Sequence, residues 1–127
     1  MRLDAKDLAG LREAAARAVE EAGAIVRAAW DKPSDVRRKG RIDLVTETDL
    51  AVEEALKESL SRVLPGSEFL AEESAEGLEP GDPAWIIDPL DGTTNFAHRL
   101  PFVAVSVALW SGGRSVLGYV HAPLMGE

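Results

Sequence analysis

Two aspartates separated by two residues, Asp88 and Asp91, follow an apolar segment and precede Gly92, Thr93 and Thr94. Hard divalent cations such as Mg²⁺ prefer oxygen ligands, which two carboxylates and a turn carbonyl would supply. If Thr93 begins a short helix, the free N–H groups of Gly92, Thr93 and Thr94 would favour an anion such as phosphate. Asp-Pro and Asp-Gly pairs are also ordinary turn formers, so this stretch alone fits a structural turn equally well.

Further carboxylates follow or flank other short apolar segments. Glu72 and Glu73 come after one predicted strand, and Asp43 and Asp49 flank the stretch 44–46. Each acid taken singly is typical of solvated surface charge. Their spacing does not show that they converge, so the residues alone permit a shared metal site without establishing it.

Two helices are predicted to carry part of this set. Apolar residues from Asp4 to Trp30 recur at the spacing of one helix face, and Pro33 is expected to end that helix. The polar and basic segment 34–41 is predicted to be a loop. A short strand or extended arm is expected over 42–46.

The second helix is predicted to begin near Thr48 and Asp49 and to end before Pro65. Asp49 would then lie at the positive end of the helix dipole. A Gly/Pro/Glu-rich surface loop is expected over 74–83, and the Ser111-Gly112-Gly113 segment is predicted to be a tight turn between two strands. Strands are predicted over 67–72, 85–87, 102–110 and 115–120.

Two helices followed by several strands indicate an α+β fold, a layered α/β sandwich with two N-terminal helices packed on a mainly antiparallel sheet. Nothing follows the strand at 115–120 that could pair with it, so the sheet is predicted to be incomplete at the C-terminus. Such an open edge favours dimerisation or aggregation.

Composition excludes several functional classes. The formal net charge is −8, which argues against nucleic acid or an anionic membrane as a partner. The absence of cysteine excludes disulfides, thiolate catalysis and cysteine-ligated metals. The first residues contain no apolar signal region, and no apolar run is long enough for a membrane span, so a cytoplasmic location is predicted.

Three motifs in this order resemble those of the inositol monophosphatase family, and the resemblance covers nearly the whole chain. It implies that residues 1–127 form the N-terminal α+β metal-binding domain and that the C-terminal domain is absent from this chain. The motifs are Asp43-Leu44-Val45-Thr46-x-Thr48-Asp49, Glu72-Glu73-Ser74, and the run from Trp85-Ile86-Ile87-Asp88 through Asn95-Phe96-x-His98 to Pro101.

The resemblance also implies a set of metal ligands. Glu72, Asp88 and the backbone carbonyl of Leu90 would hold a first Mg²⁺, and Asp88 with Asp91 would hold a second. A third, looser ion would use Glu72, with Asp49 nearby through water. The family's third carboxylate for the second metal comes from a later Trp-Asp motif that these residues do not contain.

By the same resemblance, phosphate would rest on the N–H groups of Gly92 and Thr93 and bridge the metals. Asp91 and Thr94 complete the predicted phosphate-binding set.

The implied catalytic residues orient a water for in-line attack on phosphorus. Glu72 and the Thr93 hydroxyl would orient this water at the first metal, with Asp49 or Thr46 as further support. His98 is expected to make local hydrogen bonds, because this mechanism requires no imidazole.

The implied activity is Mg²⁺-dependent, lithium-sensitive hydrolysis of an inositol or sugar monophosphate by a homodimer. Alternatives are a fructose-1,6-bisphosphatase-like activity, a metal- and phosphate-binding fragment without catalysis, and a protein-interaction role. Because the second-metal motif is missing, the isolated chain is expected to be catalytically incomplete.

Overall fold

The described part of the chain contains two long helices, one short helix and four strands. The computed structural model describes residues 3–32, 40–71 and 82–127, with the backbone alone for 40–43 and 71. The predicted ligand Glu72 and most of both predicted loops lie outside these residues. In chain order the elements are α1 (Ala5–Asp31), α2 (Gly40–Val63), β1 (Glu68–Ala71), β2 (Ala84–Asp91), α3 (Thr93–Ala97), β3 (Ala104–Ser111) and β4 (Arg114–His121).

Helix α1 begins with a reciprocal capping box. The Asp4 carboxylate accepts a hydrogen bond from the Asp7 N–H (2.8 Å), and the Asp7 carboxylate accepts one from the Asp4 N–H (3.1 Å). These bonds satisfy N–H groups that have no acceptor inside the helix. The predicted first helix is confirmed, with a buried stripe at Leu11, Ala15, Ala18, Val19, Ala22, Gly23, Val26 and Ala29.

At Gly23, α1 lies close to the end of β4. A β-carbon at Gly23 would lie 2.6 Å from Cδ2 of His121 and 3.1 Å from Cβ of Pro123. His121 is buried, and its Nδ1 lies 2.7 Å from the backbone carbonyl oxygen of Glu127. Because a carbonyl oxygen can only accept, Nδ1 carries the proton, and this bond restrains the ring.

Gly23→Ala is therefore expected to lower the free energy of unfolding by about 1–3 kcal/mol, because the buried His121 ring must move. Gly10 lies in the same helix, and nothing lies within 4 Å of the point that a β-carbon would occupy there. Gly10→Ala should raise the free energy of unfolding by about 0.5–1 kcal/mol through helix propensity. Urea unfolding followed by circular dichroism measures both, and equal effects of the two substitutions would contradict the close contact.

Helix α2 starts earlier than predicted. The strand or arm predicted over 42–46 is wrong, because these residues form the first turns of α2. Thr48 is buried, and its hydroxyl donates to the backbone carbonyl of Leu44 (2.6 Å), one helical turn back. Asp49 therefore lies well inside the helix, where the dipole contributes little. The apolar stripe that packs on the core continues from Leu44 and Val45 through Val52, Leu56 and Leu60.

The four strands form one sheet in the order β1-β2-β3-β4. β1 runs parallel to β2, whereas β2 with β3 and β3 with β4 are antiparallel. Helices α1 and α2 pack on each other, with α1 against β4 and β3 and α2 against β2. The predicted α+β fold, with two helices on a mainly antiparallel sheet, is confirmed.

The two faces of the sheet differ in what they contact. Alternate residues of β3, Val105, Val107 and Leu109, are buried with Trp85 and Ile87 of β2 beneath the helices. The opposite face carries smaller side chains at its centre, and Val120 at its edge is 68% exposed. A cavity of about 320 Å³ is lined by residues that alternate with this buried set, Ile86, Asp88, Ser106, Ala108, Gly118 and Val120, and also by Val107 and its cross-strand partner Tyr119.

Strand boundaries differ slightly from the prediction at the start of β3. The predicted strand over 102–110 begins only at Ala104, because the backbone carbonyl of Phe102 accepts a hydrogen bond from the side chain of Asn95 (2.9 Å). The predicted turn after Ser111 is confirmed, and both of its glycines have positive φ, as two-residue hairpins require. No helix in the described residues is both long and apolar enough to cross a membrane.

Tyr119 on β4 is linked to α1 by a side-chain hydrogen bond. Its hydroxyl donates to the Glu20 carboxylate at 3.1 Å. This hydrogen bond, with burial and the negative charge of Glu20, raises the pKa of Tyr119 above its ordinary value of 10.0. A raised pKa means that the folded state holds the phenol proton more tightly than the unfolded state does. The stabilisation is therefore complete below pH 10 and is lost as the pH rises above it.

Glu20→Gln is expected to shift the Tyr119 pKa down towards 10.0, because the charge and the strong acceptor are removed. The chain has one tyrosine, so the ultraviolet absorbance of tyrosinate during an alkaline titration reports on Tyr119 alone. Glu21→Gln, a neighbouring exposed acid, is the matched control and should leave the titration unchanged. An identical midpoint in wild type and Glu20→Gln would show that the hydrogen bond is absent in solution.

Candidate metal and phosphate site

The parallel strands β1 and β2 have their carboxyl ends at the same end of the sheet. The last residue of β1, Ala71, pairs with Ile87, one residue before Asp88. Because the carboxyl ends of parallel strands lie at the same end of a sheet, the residues that follow the two strands lie close together. Glu72 follows Ala71 in the sequence and lies outside the described residues, so its predicted role as a ligand stays a prediction.

The Asp88 to Asp91 segment belongs to β2. The strand predicted over 85–87 is longer than expected, since β2 extends to Asp91, and both aspartates lie in the strand and not in a turn that follows it. Asp88 pairs with Ser106 and Asp91 with Ala104, and the register shifts between them. Pro89 lies in this irregular stretch, where its missing N–H costs no ladder hydrogen bond. The shift changes the alternation of side chains and so decides where each carboxylate points.

Gly92 links β2 to α3 in a left-handed conformation. Its φ is 90°, and α3 begins at Thr93, as predicted. A β-carbon here would lie 2.7 Å from the backbone carbonyl oxygen of Phe102. The first N–H groups of a helix have no acceptor within it, so this turn presents free donors beside Asp91. The condition of the phosphate interpretation, a helix that begins at Thr93, is therefore met, and the phosphate contacts themselves stay a prediction.

The two aspartates line different cavities. Asp88 lines the cavity of about 320 Å³ that is bounded by residues of β2, β3 and β4. Asp91 and Gly92 line a second cavity, of about 290 Å³, together with Asn95, Phe102, Val103, Ala104, Ala122 and Met125. A third cavity, of about 720 Å³, lies between the start of α1 and the end of α2 and includes none of the predicted site residues.

Helix α2 brings its predicted residues towards the same region. It packs against both β2 and α3. Asp49 is partly buried and Thr46 is exposed on this helix, and both make interactions with other groups. Their predicted roles as supports for the attacking water are not tested by these positions.

The described donors suit a hard cation. Among residues 3–32, 44–70 and 82–127, no three His, Asp or Glu side chains are grouped so as to hold a metal ion. The predicted ligands in this part are the Asp88 and Asp91 carboxylates and the Leu90 backbone carbonyl. All are oxygens, which is the donor type that Mg²⁺ takes. The chemistry of this partial set fits Mg²⁺.

Residues 7–127 match the model of a protein family described as the inositol monophosphatase family. The chain belongs to the inositol monophosphatase family. The earlier resemblance is therefore confirmed over nearly the whole sequence, including all three motifs.

Named relatives within the family agree with this assignment. The chain is 40% identical over 119 residues to inositol monophosphatase 3 of Solanum lycopersicum, covering 91% of this chain and 44% of the relative. It is 36% identical over 110 residues to a fructose-1,6-bisphosphatase/inositol-1-monophosphatase of Thermotoga maritima, covering 86% of this chain and 42% of the relative. The chain thus spans less than half the length of these curated relatives.

Solved structures have the same fold. The extragenic suppressor protein suhB of Bartonella henselae superimposes with a TM-score of 0.74 and 31% sequence identity, covering 91% of this chain and 44% of the Bartonella protein. The inositol monophosphatase of Anabaena superimposes with a TM-score of 0.70 and 31% identity, covering 90% of this chain and 38% of the Anabaena protein. The arrangement of helices and strands described above is therefore shared with an inositol monophosphatase over part of its length.

Two side chains beside the candidate site make tertiary contacts that the sequence analysis did not predict. Asn95 donates to the Phe102 carbonyl and so closes the segment around Gly92. Arg99 has φ of 62°, and its guanidinium reaches the end of α1. Asn95 was identified only as part of a motif and Arg99 was not singled out, because their partners are backbone groups, and the partner of Arg99 is also distant in sequence. His98 caps α3 through its backbone N–H.

Proposed function

We propose that this chain forms the Mg²⁺- and phosphate-binding part of a phosphatase that hydrolyses an inositol or sugar monophosphate. The observation that carries the proposal is the Asp88-to-Thr94 segment. In this segment, oxygen donors lie at the carboxyl end of β2. Gly92 then adopts a left-handed conformation, and α3 begins at Thr93. The chain also belongs to the inositol monophosphatase family.

The proposed metal-binding residues are Asp88, Asp91 and the carbonyl of Leu90, together with Glu72. Bound Mg²⁺ would act as a Lewis acid and activate water for attack. Asp88 is proposed to bind both ions, as the family resemblance implies. These carboxylates would also explain how an acidic chain, of net charge −8, attracts a phosphate ester, since the bound cations reverse the local charge.

The proposed phosphate contacts come from the start of α3. The N–H groups of Gly92 and Thr93 would donate to phosphate oxygens, with Asp91 and Thr94 completing the set. The Thr93 hydroxyl and the Glu72 carboxylate would orient the attacking water, and Asp49 or Thr46 would support it. Water attacks phosphorus in line with the leaving alkoxide, and the products are the free polyol or sugar and inorganic phosphate.

Substrate and assembly remain part of the proposal. The name of the Thermotoga relative supports fructose 1,6-bisphosphate as an alternative substrate. A homodimer is proposed because β4 lies at an edge of the described sheet, and open edges favour pairing. Lithium sensitivity and a cytoplasmic location are proposed from the family resemblance and from the absence of a membrane-spanning segment in the described helices.

The test is phosphate release from inositol 1-phosphate and from fructose 1,6-bisphosphate, with and without Mg²⁺ and with added Li⁺. Mg²⁺ binding is measured in parallel by isothermal titration calorimetry. Mg²⁺-dependent, Li⁺-sensitive release would support the phosphatase proposal. Mg²⁺ binding without release would support the alternative of a binding fragment, which the short span of this chain favours. Neither binding nor release would contradict both.

A further inference from the structure

Arg99 occupies a backbone position that usually requires glycine. Its φ is 62°, and no other non-glycine residue in the described part of the chain has a positive φ. The Leu100 N–H donates to the Asn95 carbonyl (2.8 Å), and the Arg99 N–H donates to the Phe96 carbonyl (3.1 Å). This pair of bonds is the Schellman pattern, and Arg99 stands at its left-handed position. A side chain there costs conformational energy, which contacts elsewhere must offset.

The Arg99 side chain reaches the C-terminal end of α1. Its Nη1 donates to the backbone carbonyl of Trp30 at 2.7 Å, and its guanidinium carbon lies 4.3 Å from the centre of the Trp30 ring. The last carbonyls of a helix have no donor within it and carry partial negative charge. α1 has no basic residue in its own last turn, so Arg99 supplies the cation that this helix end lacks.

The same contacts fix α3. Trp30 also packs edge-to-face on Phe96, with ring centres 5.6 Å apart, and Phe96 is buried. A five-residue helix cannot hold its own conformation in water. Its orientation must therefore come from tertiary contacts, which are Phe96 in the core, Asn95 on Phe102 and Arg99 on Trp30.

We propose that Arg99 is a positioning residue for the candidate site: by clamping the end of α1, it sets the orientation of α3 and of the Asp91–Thr94 segment that leads into it. This inference rests on the proposed function of that segment in binding Mg²⁺ and phosphate. Arg99 itself touches neither in this arrangement, because its guanidinium is engaged with Trp30.

The test compares Arg99→Gly and Arg99→Lys with wild type. Glycine suits the left-handed backbone and removes only the clamp, so this variant should fold. Lysine keeps the charge and can donate to Trp30, but it lacks a planar group to stack on the ring. Mg²⁺ affinity, measured by calorimetry, should fall about 10-fold in Arg99→Gly and less in Arg99→Lys.

Amide hydrogen exchange followed by mass spectrometry provides a second readout. Exchange should rise in 93–100 in Arg99→Gly and stay unchanged in β3 and β4. Arg62→Lys is the matched control, because Arg62 makes an exposed ion pair with Glu58 and lies outside the proposed site; it should change neither readout.

Wild-type Mg²⁺ affinity in Arg99→Gly would overturn the positioning role, as would unchanged exchange in 93–100. A drop in thermal stability with uniformly raised exchange and unchanged affinity would indicate a merely structural role and would also overturn it. If wild type binds no Mg²⁺, the proposed function fails, and the exchange of 93–100 still decides whether Arg99 orders α3.

Discussion

Asp88→Asn is expected to remove most Mg²⁺ binding from this chain, with an affinity loss of about 100-fold or more. Asparagine keeps the size of the side chain but replaces a charged oxygen donor with a neutral amide, which binds a hard dication poorly. The loss should be large because Asp88 is proposed to contact both ions. Isothermal titration calorimetry at fixed ionic strength measures the affinity directly.

Two comparisons make the Asp88 result specific. Asp49→Asn should have a smaller effect, because Asp49 lies on α2 and is proposed to act only through water. Glu13→Gln, exposed in the first half of α1 and 17 residues before Trp30, should leave Mg²⁺ affinity within about twofold, since a distant surface charge is largely screened. Urea unfolding in the presence of EDTA shows whether each variant still folds. Equally mild effects at Asp88 and Asp49 would show that the ligand assignment is wrong.

Gly92→Ala is expected to lower the free energy of unfolding by about 2–5 kcal/mol. Two costs combine at this position. An alanine must adopt φ of 90°, and its β-carbon would lie 2.7 Å from the Phe102 carbonyl oxygen. That oxygen belongs to the backbone and already accepts the Asn95 hydrogen bond, so it cannot move aside without disturbing α3. Urea unfolding followed by tryptophan fluorescence measures the change.

Gly66→Ala is the matched control for backbone strain. Gly66 has a similar φ of 84°, but nothing lies within 4 Å of the β-carbon position. It should cost about 1–2 kcal/mol, which is the effect of the left-handed conformation alone. The difference between the two substitutions therefore measures the close contact at Gly92. If Gly92→Ala were no more costly than Gly66→Ala, the tight approach of Phe102 would be absent in solution.

Local patterns predicted most of the secondary structure. α1 was predictable because its apolar stripe and Asp4 cap are both encoded in adjacent turns. β3 and β4 were predictable from alternation and from the two glycines between them. The start of α2 was not, because residues 42–46 contain β-branched and apolar side chains that suit a strand equally well. Packing of Leu44 and Val45 on the core favours the helix there.

The candidate site was predictable in composition more than in geometry. The run from Asp88 to Thr94 is recognisable from residue types, and the helix start at Thr93 followed from it. The cavity that each aspartate lines was not predictable, because the register shift in β2 depends on pairing with β3. The clamp of Arg99 on Trp30 joins residues 69 positions apart, and no local pattern contains it.

The sequence by itself determined the helix and strand segments with strong local periodicity and the family to which the chain belongs. These follow from interactions between neighbours in the chain and from motifs that are contiguous. Only the tertiary structure decided where α2 begins, which way Asp88 and Asp91 face, and what holds α3 in place. Those features depend on contacts between segments that are distant in sequence, and local residue types do not predict the energies of such contacts.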